Sequence, residues 1–216
     1  SMAHILVIGA SRGIGREVCR AATSRGHHVR AMSRSGTQPS GAASAEPFKG
    51  NALDASAVAA ALDGIDVVVQ ALGVPVSLDL FTKPVSLFSE ATAVLIPEMK
   101  NAGVNTLVAV TGFGAGDGSR AINPLQRIPF DLALKRAYDD KSRQEAMIEE
   151  SDLDWLIVRP GVLLSAPACG RLRVLTEPNE WRNGIISRAA VAEFIVDRID
   201  QNQYGREKPV LVSLPL

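Results

Sequence analysis

AHILVIGASRGIGREVCRAATSRG, residues 3–26, begins with a short unbroken apolar run, Ile5 to Ile8, that empties directly into Gly9-Ala10-Ser11-Arg12-Gly13-Ile14-Gly15. An apolar run of that length predicts a strand buried on both faces. After the last glycines, Ile14, Val18, Ala21 and Ala22 recur at helical spacing among Arg16, Glu17, Arg20 and Arg25, and Gly26 supplies the helix stop. Strand, glycine turn and helix in that order make a phosphate cradle. One glycine permits the tight turn, one lets the backbone approach a pyrophosphate, and one lets the helix sit close on the sheet. The helix start adds free N–H groups and a partial positive charge. The spacing is G-x-x-x-G-x-G rather than G-x-G-x-x-G, and it lacks the G-K-[ST] ending of a nucleoside triphosphate loop. Gly9, Ser11, Arg12, Gly13, Ile14 and Gly15 are the residues expected to touch a dinucleotide. A glycine turn that merely packs helix on sheet is the plainer reading, and the second strand that follows in order speaks against it.

Strands and helices then alternate with no linker. His28 to Met32 is the second strand, followed by a Ser-, Gly- and Pro-rich loop at 35–47. Ala55 to Leu62 predicts a short helix stopped by Gly64, and Asp66 to Gln70 a buried strand. A helix from Leu87 to Asn101 carries Pro97 as a point of kinking and stops at Gly103. Thr106 to Val110 is a strand, Leu132 to Glu150 a helix, and Trp155 to Val158 a strand entering Arg159-Pro160-Gly161. The remainder holds a strand within Arg171 to Thr176, a helix from Arg188 to Asp200 and a strand from Pro209 to Val212. This alternation predicts an α/β, doubly wound, Rossmann-like parallel sheet with helices on both faces. The whole chain, 1–216, reads as one domain, with about 162–187 and the C-terminal tail forming a small substrate-side lobe.

Composition narrows the function classes. With 23 basic and 23 acidic side chains the formal charge is zero, which gives no electrostatic reason to expect nucleic acid or an anionic membrane as partner. The two cysteines, Cys19 and Cys169, form neither a metal spacing nor a disulfide framework. A reduced, cytoplasmic setting is expected, with no spanning segment and no signal peptide, and Ser1 ahead of Met2 reads as an expression remnant. His4, His27 and His28 make no ligand set, and no metal is expected. Asp117, Asp139 and Asp140 are expected to be solvated.

The end of the second strand decides which dinucleotide fits. Selectivity for the unphosphorylated cofactor usually places an acid there to accept from the ribose hydroxyls. This chain has Ser33 followed by Arg34. A guanidinium binds phosphate oxygens through several donors and stacks on an adenine, and Arg12 in the glycine turn would make the other half of a clamp. NADP is therefore the expected cofactor, with NAD as the lesser possibility. Further along, Asn51, Ala52 and Leu53 are expected at the adenine, and Ala71, Leu72 and Gly73 close to a sugar or phosphate. Asn51 has the alternative of capping the helix from 55, although Asp54 is better placed to do so.

GASRGIG at 9–15, AMSRS at 31–35, GNALD at 50–54, AVTGFG at 109–114 and DDKSRQEAMIEESDLDWLIVRPG at 139–161 together resemble the NAD(P)H-binding, NmrA-like branch of the atypical short-chain dehydrogenases, the biliverdin reductase B or flavin reductase type included. The resemblance runs over nearly the whole chain. It implies a Rossmann domain with a small C-terminal lobe, NADPH across the strand ends, and hydride delivery to a flavin or carbonyl compound in some members. Other members bind the cofactor as redox sensors.

The same resemblance assigns catalytic positions. Many short-chain dehydrogenases use Ser or Thr, Tyr and Lys, with Lys four residues after Tyr. Lys141 matches the lysine, yet residue 137 is alanine, and Tyr138 is rotated by about 100 degrees from the usual place. The serine position matches Gly112, with Thr111 beside it. Lys141, Thr111 and Tyr138 are thus the catalytic candidates, Lys141 and Thr111 also being expected at the cofactor. Glu145 is expected to hold Lys141, and Pro160 and Gly161 to offer backbone groups to the carboxamide.

Loops at 74–84 and 113–131, apolar with scattered polarity, are expected to roof the cleft. They suit a planar, fairly hydrophobic small-molecule substrate, and equally a protein partner. Two functions follow: an NADPH-dependent oxidoreductase acting on a flavin, quinone or carbonyl compound, or a non-catalytic NADP(H)-binding regulator that recognises another protein. The chain is expected to be a monomer or a homodimer.

Overall fold

The computed structural model describes residues 1–73, 85–112, 132–165 and 171–215. Its strands and helices in order are β1 His4–Ile8, α1 Gly13–Ser24, β2 His28–Ser33, β3 Glu46–Lys49, α2 Ala55–Ala61, β4 Val67–Gln70, α3 Leu87–Ala102 and β5 Thr106–Val110. They continue with α4 Leu132–Glu150, β6 Asp154–Pro160, β7 Val162–Leu164, β8 Arg173–Leu175, β9 Gly184–Ser187, α5 Arg188–Gln201, β10 Val210–Val212 and β11 Leu214–Pro215. Eight strands form one sheet in the order β3-β2-β1-β4-β5-β6-β10-β8. All its pairings are parallel except β10 with β8.

The strand pattern shows why the sheet is buried on both sides. Successive side chains point to opposite faces. Ile5, Val7, Val67, Val69, Val108 and Val110 pack under α1 and α5. Leu6, Ile8, Val68, Leu107 and Ala109 pack under α2 and α3, with Ile148 of α4 beside them. β1 lies between β2 and β4, in the interior of the sheet as its all-apolar run requires.

Helix ends follow their sequence signals. Asp54 caps α2 by accepting from the Ser56 N–H at 3.0 Å, and Gly103 closes α3 in the left-handed region at φ 71°. α3 continues through Pro97 as one helix. α1 is tied to α5 by Arg25, which pairs with Glu193, Asp197 and Asp200. Burial pushes the Cys19 thiol in α1 up to about 12, so it stays protonated and packs as a small hydrophobe.

Two features depart from the sequence reading. β3 arises from Glu46–Lys49, straddling the end of the loop expected at 35–47, because Ala42 and Ala45 are buried and the Gln38 amide ties down their carbonyls at 2.8 and 2.9 Å. The C-terminal region is also more strand-rich than expected. β7 and β9 pair in parallel and β11 joins β9 antiparallel, giving a separate three-stranded sheet beside the end of β6. The tail strand β10 belongs to the main sheet, paired with β6. Among the described residues no helix is long and apolar enough to cross a membrane, and no group of three or more His, Cys, Asp or Glu side chains is placed to hold a metal ion.

Candidate cofactor and active site

In an open α/β sheet, ligands bind outside the carboxyl ends of the strands, where the connections part to either side. β1 and β4 are neighbours here, with chain connections leaving to opposite faces. The β1–α1 turn is held by the N–H groups of Gly9 and Ala10, both donating to the Met32 carbonyl, at 3.1 and 3.2 Å. Gly9 adopts φ +87°, and a side chain there would collide with the Ala71 carbonyl; one at Gly15 would collide with the Gly9 carbonyl. Gly13 differs: its φ is +61°, but the space where a side chain would stand is open to 4 Å. So Gly9 and Gly15 serve close packing, while Gly13 leaves backbone exposed at the first helical residue. No side chain caps α1, whose N-cap position is Arg12. Its first N–H groups remain available to an anion.

Around this turn, Ser11 and Arg12 are exposed and Ile14 is buried. Ser33 ends β2 buried, and its hydroxyl accepts from the Gly36 N–H at 3.0 Å. That bond shapes the turn after β2 and leaves Arg34 as the exposed residue at the strand end. Neither the Arg12 nor the Arg34 guanidinium has a hydrogen-bond or ion-pair partner among the described residues, although the Arg12 carbonyl accepts from the Arg16 N–H at 3.4 Å. Asn51 does not cap α2: its side-chain oxygen accepts from the Leu53 N–H at 3.0 Å, closing a turn that buries Ala52 and exposes Leu53. Ala71 continues from β4, donating to the Ile8 carbonyl at 2.9 Å, with Leu72 half-buried and Gly73 exposed.

The ends of β5 and β6 are built differently. α4 turns polar residues inward. Asp140 is fully buried, not solvated, and its carboxylate accepts from the N–H groups of Phe88 and Ser89 at 2.8 and 3.1 Å, capping α3 from another helix. One turn on, Gln144 donates to the buried Gln70 side chain at 2.6 Å. Along the neighbouring track of α4 lie Lys141 and Glu145.

Lys141 donates to the Thr111 carbonyl at 2.6 Å, with its ammonium 4.9 Å from the Phe88 ring centre and 5.6 Å from that of Tyr138. Burial lowers its pKa to about 8 against the opposing charge of Glu145. Glu145 makes no direct hydrogen bond to Lys141, contrary to expectation. It accepts from the Thr111 hydroxyl at 2.6 Å and takes a two-pronged contact from Arg159, at 3.0 Å from Nε and 2.7 Å from Nη2. Glu145 and Arg159 are 2% and 0% exposed. The Thr111 hydroxyl is therefore turned toward the protein interior.

Tyr138 lies on Gly112. A Cβ added at Gly112 would stand 2.7 Å from the Tyr138 ring and 3.2 Å from its hydroxyl. The phenol fills the space that a serine side chain would claim at the end of β5, and burial raises its pKa, keeping it neutral. At β6, Gly161 donates its N–H to the Leu211 carbonyl at 3.0 Å and packs against Gly184, while Pro160 is buried and has no N–H. Of the backbone groups expected there, the Gly161 N–H is thus spent within the fold.

His27 also serves the fold: its Nδ1 accepts from the Ala3 N–H at 3.0 Å, and its Nε2 meets Asp200. The loops at 74–84 and 113–131 expected to roof the cleft, with Asp117 and Cys169, lie outside the described residues. The Asp140 cap, the Glu145–Arg159 pair and the Gly112–Tyr138 contact were not foreseen. Their signal was weak: polar residues four apart on a helix, read as a wet face when two tracks of them face inward.

A family model described as NAD(P)H-binding matches residues 9–202. A Bacillus subtilis (strain 168) protein described as an uncharacterized sugar epimerase, YhfK, is 28% identical over 202 residues, covering 91% of this chain and 88% of its own. Two solved structures share the fold. ChuY of Escherichia coli O157:H7, described as an anaerobilin reductase, superposes with a TM-score of 0.79 at 24% identity over 97% of each chain. A short-chain dehydrogenase/reductase from Veillonella parvula DSM 2008, solved in complex with NADP, does so with a TM-score of 0.80 at 16% identity, covering 98% of this chain and 95% of that one.

Proposed function

Because this chain belongs to the NAD(P)H-binding family, we propose that it is an NADPH-dependent oxidoreductase acting on a small, fairly apolar acceptor: a flavin, a quinone or a carbonyl compound. One observation carries the reading. An uncapped, glycine-lined helix start stands together with two exposed guanidiniums, and the second strand ends without an acid. Gly9, Ser11, Gly13, Ile14 and Gly15 would receive the pyrophosphate, and Arg12 and Arg34 the ribose phosphate. Ser33 shapes the turn that presents Arg34. Asn51, Ala52 and Leu53 would border the adenine, and Ala71, Leu72, Gly73, Pro160 and Gly161 the sugar and carboxamide. Lys141, seated on Thr111, would orient the nicotinamide ribose.

When bound, NADPH supplies the hydride. The protein's part is then binding and orientation, which alone account for large rate gains when reacting atoms are held in contact. A flavin or quinone needs no side-chain acid, since solvent can deliver the proton that balances the reduced product. This suits a chain with Ala137 and Gly112 at the usual tyrosine and serine positions.

Those same two residues favour a second reading, an NADP(H)-binding regulator without turnover. Calorimetry with NADPH and NADH, followed by NADPH oxidation over flavins, quinones, aldehydes and anaerobilin, separates the two. Tight NADPH binding with turnover of one acceptor supports the oxidoreductase; binding without turnover supports the regulator. Equal affinity for NADPH and NADH would overturn the cofactor assignment.

A further inference from the structure

We propose that the buried Glu145–Arg159 pair, covered by Trp181, is the positioning device for Lys141 and acts through Thr111. The inference rests on the cofactor role of Lys141 given above. Every polar group of Thr111 is engaged. Its N–H donates to the Val158 carbonyl at 2.9 Å, its hydroxyl to Glu145 at 2.6 Å, and its carbonyl accepts from Lys141 at 2.6 Å. Thr111 thus transmits the position of Glu145 to the seat of the ammonium, and Glu145 is itself locked by the planar fork of Arg159.

Stability alone is a poor reason to bury such a pair. Desolvating both ions offsets much of their attraction, and apolar replacements of like volume are often as stable. This pair sits where β5 and β6 end, at the carboxyl edge of the sheet where ligands bind in this architecture. It also has a charge effect. Among the described residues the groups around Lys141 are Glu145 and Tyr138 on α4, Phe88 on α3 and the Thr111 carbonyl just past β5, with Arg159 behind Glu145. Glu145 favours the protonated lysine and burial opposes it, which leaves the ammonium titrating near pH 8.

Trp181 extends the device into the C-terminal region. Its ring lies 4.9 Å from the Arg159 guanidinium carbon and packs on Leu175, Val210 and Val212. The connected order is Trp181, Arg159, Glu145, Thr111, Lys141, so β8 and β10 are linked to Lys141 through a relay of contacts.

The test is NADPH affinity measured from pH 7 to 10, with thermal unfolding of each variant as the control for folding. The unaltered protein is expected to lose affinity as pH rises through about 8, where Lys141 loses its charge. Lys141→Met should flatten that profile. Thr111→Val removes only the hydroxyl and should weaken NADPH by about tenfold, whereas Thr111→Ser keeps the hydroxyl and should stay within about twofold. Glu145→Gln should move the midpoint to lower pH. Trp181→Leu should move it by a smaller amount and raise KM for NADPH more than it lowers kcat. If Glu145→Gln does not fold, the Thr111 pair and Trp181→Leu decide the matter. Equal affinities for Thr111→Val and Thr111→Ser, or a midpoint unmoved in every folded variant, would overturn the proposal. Failure of the unaltered protein to bind NADPH would instead overturn the cofactor reading on which it rests.

Discussion

The two ends of the candidate cleft are built on opposite principles. At the β1–α1 turn the work is done by backbone: Gly9 and Gly15 allow chain segments to touch, and Gly13 leaves N–H groups open. At the ends of β5 and β6 the work is done by side chains, with buried Thr111, Glu145 and Arg159 interlocked with half-buried Lys141 and Asp140 holding α4 to the start of α3. The first arrangement requires particular residues at fixed spacing along the chain. The second requires only that residues far apart in sequence meet. Substitution should therefore be catastrophic at the first end, and compensable by a partner at the second.

The sharpest contrast is expected at Gly15. Gly15→Val forces a side chain into the Gly9 carbonyl, and no side-chain change elsewhere relieves a clash with backbone. A loss of about 3–5 kcal/mol in unfolding free energy, with no detectable NADPH binding, is expected from chemical denaturation and calorimetry. A milder loss, near that of a surface glycine, would mean that the turn can shift and that the contrast is false.

Gly112 provides the counterpart. Gly112→Ser meets the Tyr138 ring and should cost about 2–3 kcal/mol, while adding Tyr138→Ala should recover a kilocalorie or more, about the coupling expected of residues in contact. Additive losses in the double variant would show that the strand end tolerates substitution no better than the glycine turn.

Arg34 tests the exposed side of the turn. Arg34→Ala should weaken NADPH by roughly 1.5–3 kcal/mol and NADH by much less, because only the former carries the ribose phosphate. Equal losses would remove Arg34 from the phosphate site.

Lys141 is a case where stability and binding should oppose each other. Its pKa falls from 10.5 to about 8 on folding, so the folded protein resists charging it. The resulting penalty is fully present below pH 8 and fades as pH rises toward 10.5, where the unfolded chain also releases the proton. Lys141→Met should raise apo stability by about 1–2 kcal/mol at pH 7, after allowing for the lost bond to Thr111, and should lower it slightly at about pH 11, where only the lost bond counts. The same change should weaken NADPH.

The smallest effect is expected at Tyr138. Tyr138→Phe removes only the hydroxyl and should leave flavin or quinone reduction within a few-fold, whereas Lys141→Ala should lower turnover even at saturating NADPH. A fall in kcat of about a hundredfold for Tyr138→Phe would show that the phenol, set against Gly112, donates a proton in the reaction.

Legibility from sequence follows the same division. The glycine turn, the apolar strands, the Asp54 cap and the Gly103 stop were readable because each depends on neighbours a few residues away. Asn51 had the alternative of capping α2, but Asp54 takes that place and the Asn51 oxygen accepts from the turn N–H of Leu53. Asp140 misled because a carboxylate after a run of uncertain periodicity reads as solvated, and nothing near it in sequence announces a helix start 51 and 52 positions away. β7 and β9 escaped notice because each is short and they pair in parallel although β8 of the main sheet lies between them in sequence.

What the sequence by itself determined was the doubly wound sheet, the place of β1 within it and the geometry of the glycine turn. Strand burial and glycine geometry are local constraints, written into residue type and spacing. Only the tertiary structure decided that Thr111 faces Glu145, that Glu145 belongs to Arg159 rather than to Lys141, and that Tyr138 occupies the space left by Gly112. Those outcomes depend on how α4 settles across β5 and β6. A buried charge takes whichever partner the packing brings within reach, and that choice has no period along the chain.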